Sequence, residues 1–197
     1  MLIGLTGGIA CGKTTVAERL RARGAIVIDA DQVARDVVAP GTPGLAQVVL
    51  AFGPTVLTGE GHLDRARLGA TVFGDAAARR RLEGILHPLI AAESVRRIQA
   101  AADAPLVVYD AALLIESGRA EMFRPLVVVT ADPATQRARL MRRDGLDLAA
   151  AEARIAAQMP VAEKVARADY VVMNDGDLAA TDAQIEALWR TLTGDPT

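Results

Sequence analysis

Gly7 to Thr15, GGIACGKTT, brings together the residue types needed to hold a polyphosphate. Gly7, Gly12, Lys13 and Thr14 satisfy the spacing G-x-x-x-x-G-K-[ST] at every position. Backbone N–H groups converge on phosphate oxygens only where side chains stay out of the way, so glycine is needed at the tight points. The predicted ATP contacts are therefore Gly8, Ala10, Cys11, Gly12, Lys13, Thr14 and Thr15. Lys13 reaches the outer phosphates, and the Thr14 hydroxyl is a ligand for Mg²⁺. The apolar run MLIGLT before the loop and a helical period after it supply a strand and a helix N-terminus, the setting in which this spacing has meaning.

Phosphate held in this way can be hydrolysed or transferred, and the acids decide which. Asp29 and Asp31, in VIDADQVAR, end a second apolar run and are candidates to orient or deprotonate an acceptor hydroxyl. Asp31 could equally cap the helix that follows. Asp110 ends LVVYD and stands where an acid would hold Mg²⁺ together with Thr14; the alternative is a simple strand-end turn. Residues 134–168 carry Arg137, Arg139, Arg142, Arg143, Arg154, Lys164 and Arg167 against fewer acids. That surplus suits either a closing arginine lid or a solvated helix face.

These residues need a scaffold. Five β-branched apolar runs, at 2–6, 25–29, 106–110, 126–130 and 170–173, have the unbroken character of strands buried on both faces of a parallel sheet. Helical segments alternate with them, the last at about 178–193 with Ile185, Leu188, Trp189 and Leu192 on one face. The predicted fold is an α/β three-layer sandwich of the P-loop kinase type, with a five-stranded parallel sheet. The core spans about 1–35, 104–133 and 168–197. A helical acceptor-binding insert fills about 36–103, broken at 39–44, 52–63 and 86–88, and the Arg-rich lid fills about 134–167. All are parts of a single domain over 1–197.

Composition narrows the choice of partners. The chain has 197 residues, 51% hydrophobic and only 3% aromatic, with a net charge of −2 and a mean hydropathy of +0.24. That balance favours a folded globule and argues against a general nucleic-acid binder. Cys11 is the sole cysteine, which points to a reducing, cytoplasmic setting. No apolar stretch is long enough for a membrane span, and no leader pattern precedes the first strand. A GTPase would carry Asn-Lys-x-Asp, whereas NDGD at 174–177 has Asp in the lysine position. A small chain with an acceptor-side acid and an arginine lid suits a small-molecule kinase, monomeric or weakly homo-oligomeric. A kinase for some other metabolite and a slowly hydrolysing nucleotide switch are the alternatives.

The order and spacing of GLTGGIACGKTTVA, VIDADQVAR, LHPLI, YDAALLIESG, RLMRRDGLDLAAAEARIAAQMP and ADYVVMNDGDL resemble the dephospho-CoA kinase family over residues 2–180. The resemblance implies transfer of the ATP γ-phosphate to the ribose 3′-hydroxyl of dephospho-CoA, the last step of coenzyme A synthesis. It implies Asp31 as catalytic base with Arg35 beside it, and acceptor binding near His87. It further implies Arg139 and Arg143 as lid arginines on the phosphates, and Asn174 and Gly176 in the adenine-side loop. Departures are Ala10-Cys11 where the family usually has Gly-Ser, Ala112 in place of a proline, and Met173 where an acid is common. An alanine at position 10 is expected to need a negative φ. Cys11 stands beside Lys13 and a helix N-terminus, both of which lower a thiol pKa; the favoured alternative is a serine-sized filler whose backbone N–H matters and whose sulfur does not. Trp189 and Met173 are expected in the core.

Overall fold

The computed structural model describes residues 1–194. In chain order its elements are β1 (Leu2–Gly7), α1 (Lys13–Ala22), β2 (Ile26–Asp29), α2 (Ala30–Asp36), α3 (Pro43–Phe52), α4 (Arg65–Phe73) and α5 (Ala76–Ala100). There follow β3 (Val107–Asp110), β4 (Leu126–Thr130), α6 (Pro133–Asp144), α7 (Leu148–Ala156), α8 (Val161–Val165), β5 (Tyr170–Met173) and α9 (Leu178–Thr193). Each of the five apolar runs is a strand. The chain divides into two compact units, Met1–Ile28 with Ala101 onward, and Asp29–Ala100. The inserted unit thus starts at the last residue of β2, earlier than the expected position near 36.

In the first unit the strand order is β2-β3-β1-β4-β5, with β1 parallel to both β3 and β4, and β4 parallel to β5. Such a sheet binds ligands at the carboxyl ends of its strands, where the order reverses around β1. Gly7, Asp110 and Thr130 all stand on that edge. Ile3, Leu5, Val127 and Val129 are wholly buried and pack with Val16 and Leu20 of α1 and Ile185 and Leu188 of α9. Trp189 joins this core, but Met173 does not and is 56% exposed. The cause is its place on β5, an outer strand: Val172 turns inward while Val171 and Met173, on the opposite face, meet solvent.

Aspartates start most of the helices. Asp29, Asp64, Asp132, Asp147 and Asp177 each accept a backbone N–H from the first turn of α2, α4, α6, α7 and α9. Left-handed glycines, Gly145 and Gly194, end α6 and α9.

The second unit is helical, with a small core of Val38, Leu45, Val48, Val56 and Leu68. The expected breaks at 39–44 and 52–63 occur, the first resolved by Thr42 capping α3. The expected break at 86–88 does not, since α5 runs unbroken through Pro88. Pro88 removes one helical N–H and crowds the carbonyl of Gly84, but both residues are on the exposed face, where solvent can serve the freed carbonyl. Among the described residues, no helix is long and apolar enough to cross a membrane.

Candidate active site

β1 delivers the chain to the glycine loop, and α1 begins at Lys13. Unlike the Asp-capped helices, α1 has no side chain bonded to its first N–H groups. An uncapped helix N-terminus behind a glycine loop is an anion cradle. Gly12 has φ +85°, and a Cβ there would collide with Asn174 Nδ2, so only glycine fits. Ala10 contradicts the expectation of a negative φ: it lies at φ +59°, in the left-handed region. An alanine held there costs about 1 kcal/mol.

Lys13 Nζ is ion-paired with Asp110, which is 5% exposed. Asp110 therefore faces the loop rather than closing a bare turn. Thr14 is exposed at the first turn of α1. The backbone after Asp110 is stitched to β1: Ala111 N–H donates to Leu5 carbonyl at 3.0 Å, and Thr6 Oγ1 donates to Ala112 carbonyl at 3.0 Å. The same Ala112 carbonyl accepts from Lys164 Nζ at 3.0 Å, and Lys164 also pairs with Glu116 at 2.7 Å. Lys164 is wholly buried, so it is no part of a solvated basic face.

The two lid arginines differ. Nη1 of Arg139 is buried, makes no hydrogen bond, and lies 3.6 Å from where a Gly12 Cβ would stand. A desolvated, unpartnered guanidinium N–H over the loop suits an anionic ligand. Arg143 is bound through two nitrogens to Asp144, at 2.7 and 3.2 Å. That pairing pushes the arginine pKa up and the aspartate pKa down. Asp144 also receives Arg154 at 2.6 Å.

Asn174 is buried, with a hydrogen bond at each end of its amide. Its Nδ2 donates to the Cys11 carbonyl at 2.8 Å, and its Oδ1 accepts from Thr181 at 3.1 Å. Its side chain is thus a clamp on the loop, while Gly176 lies exposed in the turn before α9. Cys11 is also buried, and burial raises its thiol pKa, outweighing the backbone hydrogen bonds and the more distant Lys164 and Arg139. The lowering expected from Lys13 and the helix N-terminus is overturned because desolvation is the larger effect.

In the second unit, Asp29 is the cap of α2, accepting from Asp31 N–H at 2.8 Å and Gln32 N–H at 3.1 Å. Asp31 is thereby relieved of that role; it is exposed in the first turn, with Arg35 one turn further on. His87 is exposed in the middle of α5. Asp36 and Glu93 share Arg97, each at 2.7 Å, and Glu93 also takes Arg96. These guanidinium contacts hold the Glu93 carboxyl down at about 2, against an ordinary 4.5.

A family model described as dephospho-CoA kinase matches residues 1–180 of this chain. The chain belongs to the dephospho-CoA kinase family. Dephospho-CoA kinase of Leifsonia xyli subsp. xyli is 51% identical over 98% of this chain and 99% of its own length. A solved structure from Thermus thermophilus superposes with a TM-score of 0.84 at 33% identity, covering 98% of both chains. The dephospho-CoA kinase from Campylobacter jejuni gives 0.69 at 26% identity, covering 98% and 97%. Gln136, Gln158, Glu116 and the buried role of Lys164 belong to no motif in the sequence and emerge only from the folded contacts. The one available signal was Lys164 itself, one of two lysines in a chain whose other bases are arginines.

Proposed function

We propose that this dephospho-CoA kinase transfers the γ-phosphate of ATP to the ribose 3′-hydroxyl of dephospho-CoA with the residues assigned as follows. The loop from Gly8 to Thr15 carries the triphosphate, Lys13 and Arg139 neutralise charge on the moving group, and Asp31 accepts the acceptor's hydroxyl proton. Arg35 and His87 belong to acceptor binding, so 29–100 is the acceptor unit and about 134–167 the lid. Arg143 supports the lid through Asp144 in the arrangement described. Asn174 shapes the adenine side through the loop, and Gly176 leaves room there.

The observation that carries this reading is the buried, unpaired Arg139 nitrogen beside Gly12, in a loop that opens α1 without a cap. Phosphoryl transfer is accelerated mainly by positioning and by charge placed where charge develops, and Lys13 with Arg139 supplies both. Mg²⁺ would be held by Thr14 and Asp110, whose exposed hydroxyl and buried carboxylate are hard oxygen ligands of the right class. Held by these two oxygens, it would offset negative charge on the phosphates. A reducing, cytoplasmic setting accords with the single, sequestered thiol.

The direct test is a coupled assay with ATP, Mg²⁺ and dephospho-CoA. Turnover of another hydroxyl metabolite with none of dephospho-CoA, or ATP consumption indifferent to the acceptor, would reject the reading. Asp31→Asn should lower kcat by about 10²-fold or more while leaving ATP affinity near wild type, as expected for loss of a general base. A collapse of ATP binding instead would make Asp31 structural.

A further inference from the structure

Ile9, in the middle of the phosphate loop, has both of its backbone polar groups bound by glutamine side chains. Its N–H donates to Gln158 Oε1 at 2.8 Å, and its carbonyl accepts from Gln136 Nε2 at 2.9 Å. Gln136 belongs to the first turns of α6 and is 3% exposed; Gln158 follows the end of α7 and is half-buried. The two amides thus come from opposite ends of the arginine-bearing segment and close on one residue. Gly8 makes this possible, because a Cβ there would lie 2.8 Å from Gln136 Nε2.

The residue after Ile9 is Ala10, the one non-glycine residue with positive φ among the described residues. A left-handed alanine persists only where its surroundings over-determine the backbone. Within the loop itself, the Cys11 N–H donates to the Gly8 carbonyl at 3.2 Å, a long bond. From outside the loop, Asn174 holds the Cys11 carbonyl on one side of Ala10, and the glutamine pair holds Ile9 on the other. Arg139 stands one turn after Gln136 on α6, so the same contact also fixes the height of that arginine above the loop.

We propose that Gln136 and Gln158 are positioning residues that hold the loop in its phosphate-binding shape against the strain at Ala10. The proposal rests on the loop being the ATP site, and it makes ATP affinity a function of how much of the population has the loop formed. It also predicts a coupling. With glycine at position 10 the same φ is unstrained, so the loop should depend less on its clamp.

The test measures Mg·ATP binding by titration calorimetry, without acceptor, for Gln158→Ala in the wild-type and Ala10→Gly backgrounds. Gln158→Ala should weaken ATP binding about tenfold in the wild-type background and less than about threefold beside Ala10→Gly. An equal loss in both backgrounds, or no loss in a folded Gln158→Ala protein, overturns the proposal. Two glutamates provide a second reading that does not depend on removing the side chain. Gln158→Glu keeps an acceptor for the Ile9 N–H, whereas Gln136→Glu sets a carboxylate against the Ile9 carbonyl. Both add the same charge beside the same residue, so Gln136→Glu should weaken ATP binding about tenfold more than Gln158→Glu; equal effects would count against the clamp. If ATP binds with the predicted coupling but dephospho-CoA is not phosphorylated, the functional assignment fails and the clamp stands.

Discussion

Arg139 and Arg143 are one turn apart on α6, yet one has a buried, unpartnered nitrogen near Gly12 and the other is neutralised by Asp144. An arginine already paired offers less to a developing charge than one held bare and desolvated. Arg139→Ala should therefore lower kcat by about 10³-fold, in the range of an arginine finger, and Arg143→Ala by about tenfold or less. Steady-state kinetics of the two variants at saturating substrates checks this, and equal losses would remove the distinction. Gly12, Lys13 and Thr14 were legible in the sequence because their chemistry is set by residue type at fixed spacing. The opposite fates of the two arginines were not, because Asp144 and Arg154 meet Arg143 only once α6 and α7 are folded. Ala10 is a similar case: its φ is imposed from outside the loop, by side chains far along the chain.

At the scale of elements, α8 is secured to the segment after β3 by a buried charge. Lys164 donates to the Ala112 carbonyl and pairs with Glu116, and Ala112 is two residues from Asp110. Lys164→Met would leave Glu116 without its cation and should destabilise the protein by about 3 kcal/mol. Thermal unfolding checks this; Lys164→Met combined with Glu116→Gln should recover part of the loss, and an unchanged midpoint in the single variant would refute it. Strand positions were legible because parallel strands buried on both faces are nearly continuous apolar runs. Pro88 misled, since the rule that proline ends helices assumes the freed carbonyl has nowhere to turn, whereas on α5 it faces solvent. Lys164 misled for a different reason: a lysine among arginines looks like one more surface charge until its acid is found elsewhere in the chain.

At the scale of the molecule, the unit 29–100 holds Glu93 in a guanidinium pair that depresses its pKa from 4.5 to about 2. Arg97 and Gln32 lower Asp36 in the same direction. The unfolded chain takes up the Glu93 proton near 4.5 and the folded one only near 2, so this contribution to stability is complete above 4.5 and is lost as pH falls toward 2. Glu93→Gln should flatten the acid-unfolding curve between those values, measured by circular dichroism; an unchanged slope would show that other groups govern it. The existence of this insert was legible in the long gap between the second and third strands. Its starting point at Asp29 was not, because one residue both ends β2 and caps α2. The two lysines differ in what a reagent can reach. Lys164 has no exposed surface, whereas the Lys13 side chain is 20% exposed and paired. Among the lysines the folded protein is therefore set up for acylation at one position: an amine-reactive dye at low excess should reach Lys13 and spare Lys164, as read by peptide mass spectrometry. Suppression of the Lys13 adduct by ATP would report occupancy of the nucleotide site without any turnover.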